Sequence, residues 1–154
     1  MTVVVRPVAK EDRAQWERLF VAYGVFYETT FDSAVVDGVW TWLLDDTHEV
    51  SALVAVANRG TDDDTGEIVG FAHYRRQADT FTAGPGWFLD DLYVDASARG
   101  AGTATALIEA VAERATAAGG GTLRWITAAD NETAQRVYDR VADRSTWVTY
   151  ERKT

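Results

Sequence analysis

Arg99, Gly100 and Gly102 stand where a strand-forming run gives way to a long amphipathic segment. The run is Trp87-Phe88-Leu89-Asp90-Asp91-Leu92-Tyr93-Val94, and the small polar link Asp95-Ala96-Ser97-Ala98 follows it. Aromatic and branched residues predict a buried strand, the link a tight turn, and the periodic residues after Ala104 a helix. The first turn of a helix holds N–H groups without internal partners and the positive end of the helix dipole. Glycines at that place lack a Cβ, so a bulky anion can approach the backbone, and Arg99 adds charge. The chemistry indicated is binding of a phosphate or pyrophosphate. The plainer alternative is a glycine pair that only shapes the turn.

The pattern is not a P-loop, because no Gly-Lys-Ser/Thr follows a first glycine at the required distance, and Gly100, Gly102 and Thr105 do not complete a dinucleotide fingerprint. Arg99 through Gly102 to Ala104 reads Arg-x-x-Gly-x-Ala. This resembles the coenzyme A pyrophosphate signature of the GNAT superfamily of N-acetyltransferases. Leu89 to Val94 is similar to that superfamily's fourth strand, and Asn131, Ala134 and Tyr138 match a third motif in the right order. The resemblance covers nearly the whole chain. It implies an α/β (α+β) GNAT fold over residues 1–154, with a mixed sheet of six to seven strands splayed between the fourth and fifth, and about four helices.

The resemblance also implies roles. Acetyl-CoA would be the cosubstrate, with the backbone of Leu92, Tyr93 and Val94 binding its pantetheine arm and polarising the thioester. The amides of Gly100, Ala101, Gly102, Thr103, Ala104 and Thr105 would hold the pyrophosphate beside Arg99. Tyr138 is the implied general acid toward the leaving sulfur, and Asn131 a contact to the cofactor arm. Leu89-Asp90-Asp91-Leu92 resembles the Leu-Glu-Asp segment of the polyamine branch, which makes Asp90 the candidate base, one methylene shorter than that branch's glutamate. Phe26, Tyr27, Trp87 and Asp90 are the candidate acceptor contacts. Trp87 to Leu92 and Trp125-x-Thr127 look closest to the polyamine and yeast histone/D-amino-acid acetyltransferase branch. The acceptor implied is a small primary amine. Alternatives are a protein lysine or N-terminal acetyltransferase, and a non-catalytic coenzyme A-binding or interaction module. A homodimer is the family expectation.

Composition sets outer limits. The 154 residues suit one domain with a real core, 47% of them hydrophobic. No cysteine is present, which excludes disulfides, thiolate zinc sites and cysteine nucleophiles. A net charge of −9 argues against nucleic acid and is compatible with a cationic substrate, although plain solubility is the weightier explanation. No apolar run is long enough to span a bilayer and no signal-peptide layout opens the chain, so a cytoplasmic protein is expected. No metal is implied; Asp62-Asp63-Asp64 has the wrong spacing for a calcium loop and reads as a solvated turn.

The elements that must position these residues follow in order. Thr2 to Arg6 predicts a strand, then a helix capped by Asp12 with Trp16, Leu19, Phe20 and Tyr23 on one stripe, loosened or ended by Gly24. Asp32 or Ser33 starts a second helix, from whose stripe Trp42 departs. Strands are expected over Glu49–Ala57 and Glu67–Gln77, with Gly70 at a bend or close approach and Ala78–Gly86 as a loop. His73, on the second of these, is a minor candidate base; a satisfied structural histidine is the stronger reading. A helix ended by Gly119-Gly120-Gly121, a fifth strand over Thr122–Thr127, a helix capped by Asn131, and a last strand over Trp147–Arg152 complete the pattern. Strand alternation sets Asp90 and Asp91 on opposite faces unless a bulge intervenes.

Overall fold

In the computed structural model, which describes residues 1–58 and 66–154, β1 (Thr2–Pro7) is followed by α1 (Arg13–Phe26) and α2 (Ser33–Leu44). β2 (Val50–Asn58), β3 (Glu67–Asp79) and β4 (Gly84–Val94) then form an antiparallel meander against β1. α3 (Thr103–Ala117) crosses over to β5 (Leu123–Arg124), which lies parallel to β4, and α4 (Glu132–Tyr138) follows. A crossover helix is the connection that a parallel pair requires. The described residues therefore hold one mixed sheet in the order β1-β2-β3-β4-β5. The α/β class is as expected, with five strands in place of six to seven. The Asp62-Asp63-Asp64 turn lies outside the described residues.

Two of the predicted caps act as read. Val35 N–H donates to Asp32 Oδ1 at 2.9 Å, and Ala134 N–H donates to Asn131 Oδ1 at 3.2 Å. Asp12 precedes α1 but points back instead. It accepts from Ala9 N–H at 2.8 Å and pairs with both terminal nitrogens of Arg6 at 2.7 and 2.9 Å, tying β1 to the helix start. Gly24 does not end α1. A Cβ there would press on the Phe31 ring at 2.8 Å and the Thr29 carbonyl at 2.9 Å, so the residue serves close packing. Gly70 is likewise a close approach, with Tyr93 O at 2.9 Å from a hypothetical Cβ.

Apolar layers cover both faces of the sheet. Trp16, Leu19, Phe20, Val36, Trp40 and Leu43 from α1 and α2 pack on Val54, Ile68 and Phe71. On the opposite face, Leu107, Ile108 and Val111 of α3 pack on Leu53, Val69, Ala72 and Leu89. Alternation along the strands sends successive side chains to the two layers. Trp42 is 46% exposed, as its place off the stripe implies, and its ring stacks on His48.

Four departures matter for function. β3 and β4 extend into the expected Ala78–Gly86 loop, leaving a short turn over residues 80–83. His73 faces Asp91 while Tyr74 faces Leu89, so Asp90 is the extra residue of a β-bulge. β5 pairs with β4 only at Trp87↔Leu123 and Phe88↔Arg124, far short of the expected Thr122–Thr127. The expected strand over Trp147–Arg152 is irregular, with Trp147, Val148 and Tyr150 exposed. A strand needs a neighbour to satisfy its ladder, and the described residues offer this segment none.

The start of β5 is set by Gly119-Gly120-Gly121, all at positive φ. Trp87 Nε1 donates to Gly120 O at 2.8 Å, and a Cβ on Gly121 would overlap the Pro85 carbonyl oxygen. Gly121→Ala should therefore cost about 2 kcal/mol or more, through left-handed strain plus the clash. Gly120→Ala, whose Cβ meets open space, should cost only about 1 kcal/mol of strain. Urea unfolding of both variants checks this, and equal losses would refute the close-approach account.

Candidate functional site

Beyond Phe88 the two parallel strands diverge, and the opening is a cleft of about 410 Å³. One wall is Leu92, Tyr93 and Val94 of β4, whose ladder groups on that side have no strand partner. The other wall is Asn131, Ala134, Val137 and Tyr138 of α4, and α1 closes one end with Tyr23, Phe26 and Tyr27. The turn into α3 contributes Arg99, Gly100, Gly102, Thr103, Ala104 and Thr105. Ala101 is not among the lining residues. Elements distant in sequence thus bring nearly all the expected cofactor contacts to one opening.

At the α3 end, Gly100 and Gly102 both adopt φ of +79°, with Gly102 as the cap of the helix. Glycine takes that left-handed conformation without steric cost. A Cβ on either would meet nothing within 4 Å. The glycines therefore clear space above unpartnered helix amides, a cradle that fits a pyrophosphate. Arg99 borders it, held by its Nε donating to Val94 O at 3.1 Å and by its guanidinium lying 5.8 Å from the Tyr93 ring centre.

A smaller recess adjoins the cleft, lined by Tyr23, Tyr27, Leu89, Asp90, Leu92, Trp125, Ile126 and Tyr138. Tyr138 belongs to both spaces and meets the Trp125 ring edge-on at 5.5 Å. Burial, and secondarily Tyr27, pushes its phenol up to about 12. It therefore remains protonated at neutral pH, the state an acid catalyst needs. The bulge places Asp90 beside Arg75, whose Nε lies 3.1 Å from both carboxylate oxygens. Burial raises the Asp90 pKa, Arg75 opposes the rise, and neighbouring Asp91 adds to it.

Other candidates fall elsewhere. Trp87 is only 5% exposed and donates its indole N–H to Gly120, so it fastens the β4–β5 junction and lines neither space. His73 is 1% exposed with both ring nitrogens engaged, the satisfied structural histidine of the stronger reading. Tyr23 and Asp91 carried no site expectation, yet Tyr23 lines both spaces. Its position at the end of the α1 stripe, next to the Phe26-Tyr27 pair, was the available signal. Asp91 lines neither space, and its place opposite His73 gave no signal, because a bulge cannot be read from alternation.

No helix among the described residues is long and apolar enough to cross a membrane. The chain is 30% identical over 150 residues to the D-amino-acid N-acetyltransferase HPA3 of Saccharomyces cerevisiae, covering 97% of this chain and 90% of that protein. Among solved structures it resembles AAC(6')-Iy in complex with the bisubstrate analog CoA-S-monomethyl-acetylneamine, with a TM-score of 0.80 at 23% identity over 100% of this chain and 99% of the other. It also resembles the ribosomal-protein-alanine N-acetyltransferase of Brucella melitensis biovar Abortus 2308, with a TM-score of 0.75 at 22% identity over 99% and 100% of the two chains. At these identities the two structures speak to the fold. The profile of the Acetyltransferase (GNAT) family matches residues 9–142, which takes in the glycine turn, the splayed strands and Tyr138 alike. This chain belongs to the GNAT family of acetyltransferases and is an acyltransferase.

Proposed function

We propose that the chain moves an acetyl group from acetyl-CoA directly to the primary amine of a small molecule, such as a polyamine or amino acid. The observation that carries this reading is one cleft with a glycine-rich anion cradle at one end and a protonated Tyr138 beside an acidic recess at the other. The anionic end of the cosubstrate would lie on the amides from Gly100 to Thr105, with Arg99 alongside. Backbone groups of Leu92, Tyr93 and Val94 would orient the arm and polarise the carbonyl, as preorganised donors do. Asn131 would steady the arm, and Phe26 and Tyr27 would border the acceptor.

Asp90 receives the proton as the ammonium becomes a nucleophile. The C–N bond forms, the C–S bond breaks, and Tyr138 gives its proton to the departing sulfur. Each proton transfer by a positioned group is worth about 10²–10⁴ in rate.

Calorimetry with acetyl-CoA tests the cradle. Arg99→Glu and Gly102→Trp should each weaken binding about tenfold or more, by reversing a charge or filling the space above the helix amides. Wild-type affinity in both folded variants would remove the pyrophosphate assignment.

Free-thiol release across an amine panel tests turnover. Tyr138→Phe should lower kcat about 100-fold while leaving acetyl-CoA affinity nearly unchanged. Asp90 acts as a base only when ionised, and its raised pKa places the acid limb of kcat/KM above the usual carboxylate range. Asp90→Asn should therefore cost more at low pH, where the amine stays protonated, than at high pH. A pH-independent loss would sink that role.

The active form is proposed to be a homodimer. Trp147, Val148 and Tyr150 on the C-terminal segment and Trp42 support this, because large apolar groups left exposed are candidates for a contact surface. Light scattering after gel filtration should give the mass of two chains, and a monomer at micromolar concentration would count against it.

A further inference from the structure

The last stretch of the chain has the composition of a strand but no strand beside it. Thr146, Trp147, Val148, Thr149 and Tyr150 are all β-branched or aromatic. Yet Trp147, Val148 and Tyr150 stand 79%, 78% and 92% exposed. Every residue from Ala142 to Thr154 is exposed, so the segment is covered by none of its own chain. Its departure point is fixed. Arg144 Nη2 donates to Gln135 Oε1 at 3.0 Å and lies 3.5 Å from Asp139 Oδ2. Gln135 Nε2 in turn donates to the carbonyls of Ala128 and Ala129 at 3.1 and 3.0 Å. The segment therefore leaves from α4 close to the end of β5, and it joins no strand of its own sheet.

The neighbouring stretch of β5 lacks a partner as well. Leu123 and Arg124 pair with β4 on one side, and among the described residues the other side of β5 is an open edge. Trp125, Ile126 and Thr127 pair with no strand on either side. The Thr127 hydroxyl is buried and has no hydrogen-bond partner among the described residues. Trp125 and Ile126 nevertheless wall the recess, and Trp125 meets the ring of Tyr138. An open backbone edge beside the site and an unpaired strand sequence are complementary, because a strand added to an edge satisfies both.

We propose that residues 146–152 of each copy pair with the outer edge of β5, over residues 123–127, in a second copy of the chain, and that each copy receives the same strand in return. A two-fold exchange uses one patch twice and leaves neither β5 edge open. Two sets of Trp147, Val148 and Tyr150, with the surfaces they cover, bury about 1,000 Å² or more, the scale at which a specific interface becomes stable. The partner's strand also gives Trp125 and Ile126 the ladder that their own chain does not supply. Each recess wall is then braced by the other copy. This rests on the homodimer reading and names its contact.

The chain has no cysteine, so single cysteines can be introduced cleanly. Full-length chains with Arg124→Cys and a heavy tag are co-expressed with untagged chains carrying Thr149→Cys, then treated with a flexible bis-maleimide. A cross-linked heavy–light pair is expected. Hydrogen exchange on the wild type should show residues 123–127 and 146–152 protected about tenfold or more in the dimer, with the protection lost on dilution to monomer. Val148→Pro and Thr149→Pro lie on the exposed segment and leave the fold intact. The one whose N–H enters the ladder should weaken dimerisation about 100-fold, because each dimer loses two ladder bonds. Wild-type dimer affinity in both variants overturns the proposal. A dimer mass with no heavy–light cross-link, and free exchange in both stretches, overturns the strand exchange while the homodimer stands. A monomer with both stretches protected means that the segment covers its own β5, and protection at β1 instead means that another edge is used; either result overturns the proposal. An unprotected monomer removes the homodimer with it. None of these readouts involves turnover, so the acetyl-transfer reading stands or falls separately.

Discussion

β4 is hydrogen-bonded along its whole length on one side and released early on the other. Almost everything of chemical interest follows from that asymmetry. A central strand normally has both rows of backbone groups satisfied. Here the row on the β5 side becomes free from Leu89 onward, at the floor of a cleft, where a ligand can complete it. The junction before the divergence is fixed by a backbone contact: Gly121 approaches Pro85 too closely for any side chain, while Trp87 grips Gly120. β5 thus begins in register and then departs.

The bulge on the opposite side of β4 governs the electrostatics. Strict alternation would send Asp90 to one layer and Asp91 to the other. With Asp90 as the extra residue, one carboxylate meets Arg75 and the next meets His73, near enough to feel each other. Their environments push their pKa values in opposite directions, upward at Asp90 and downward at Asp91.

α1 joins the core to the cleft. Trp16 stacks on Phe20 at 5.0 Å, Phe20 lies 6.4 Å from Tyr23, and Tyr23 meets Tyr27 at 5.1 Å. The buried end of the helix anchors it against Phe71 and Trp40, while Tyr23 and the following Tyr27 present phenols to the cleft. The stripe that built the core continues, without interruption, into the functional wall.

Local chemistry was legible from the residues alone. The caps at Asp32 and Asn131, the strand-turn-helix around Arg99 to Ala104, and the pairing of Asn131 with Tyr138 on one face all depend on neighbours within a few turns. Composition and order were enough for the fold class. What the tertiary structure decided were matters of long-range register. The shortened β5, the irregular Trp147–Arg152 segment, the burial of Trp87 and the bulge at Asp90 each depend on which backbone lies alongside, and no local propensity encodes that. The same holds for the Trp16–His73–Asp91 line, whose members come from a helix and two strands. Periodicity can say that a histidine faces the core. Only packing supplies the indole and the carboxylate that fix its two nitrogens.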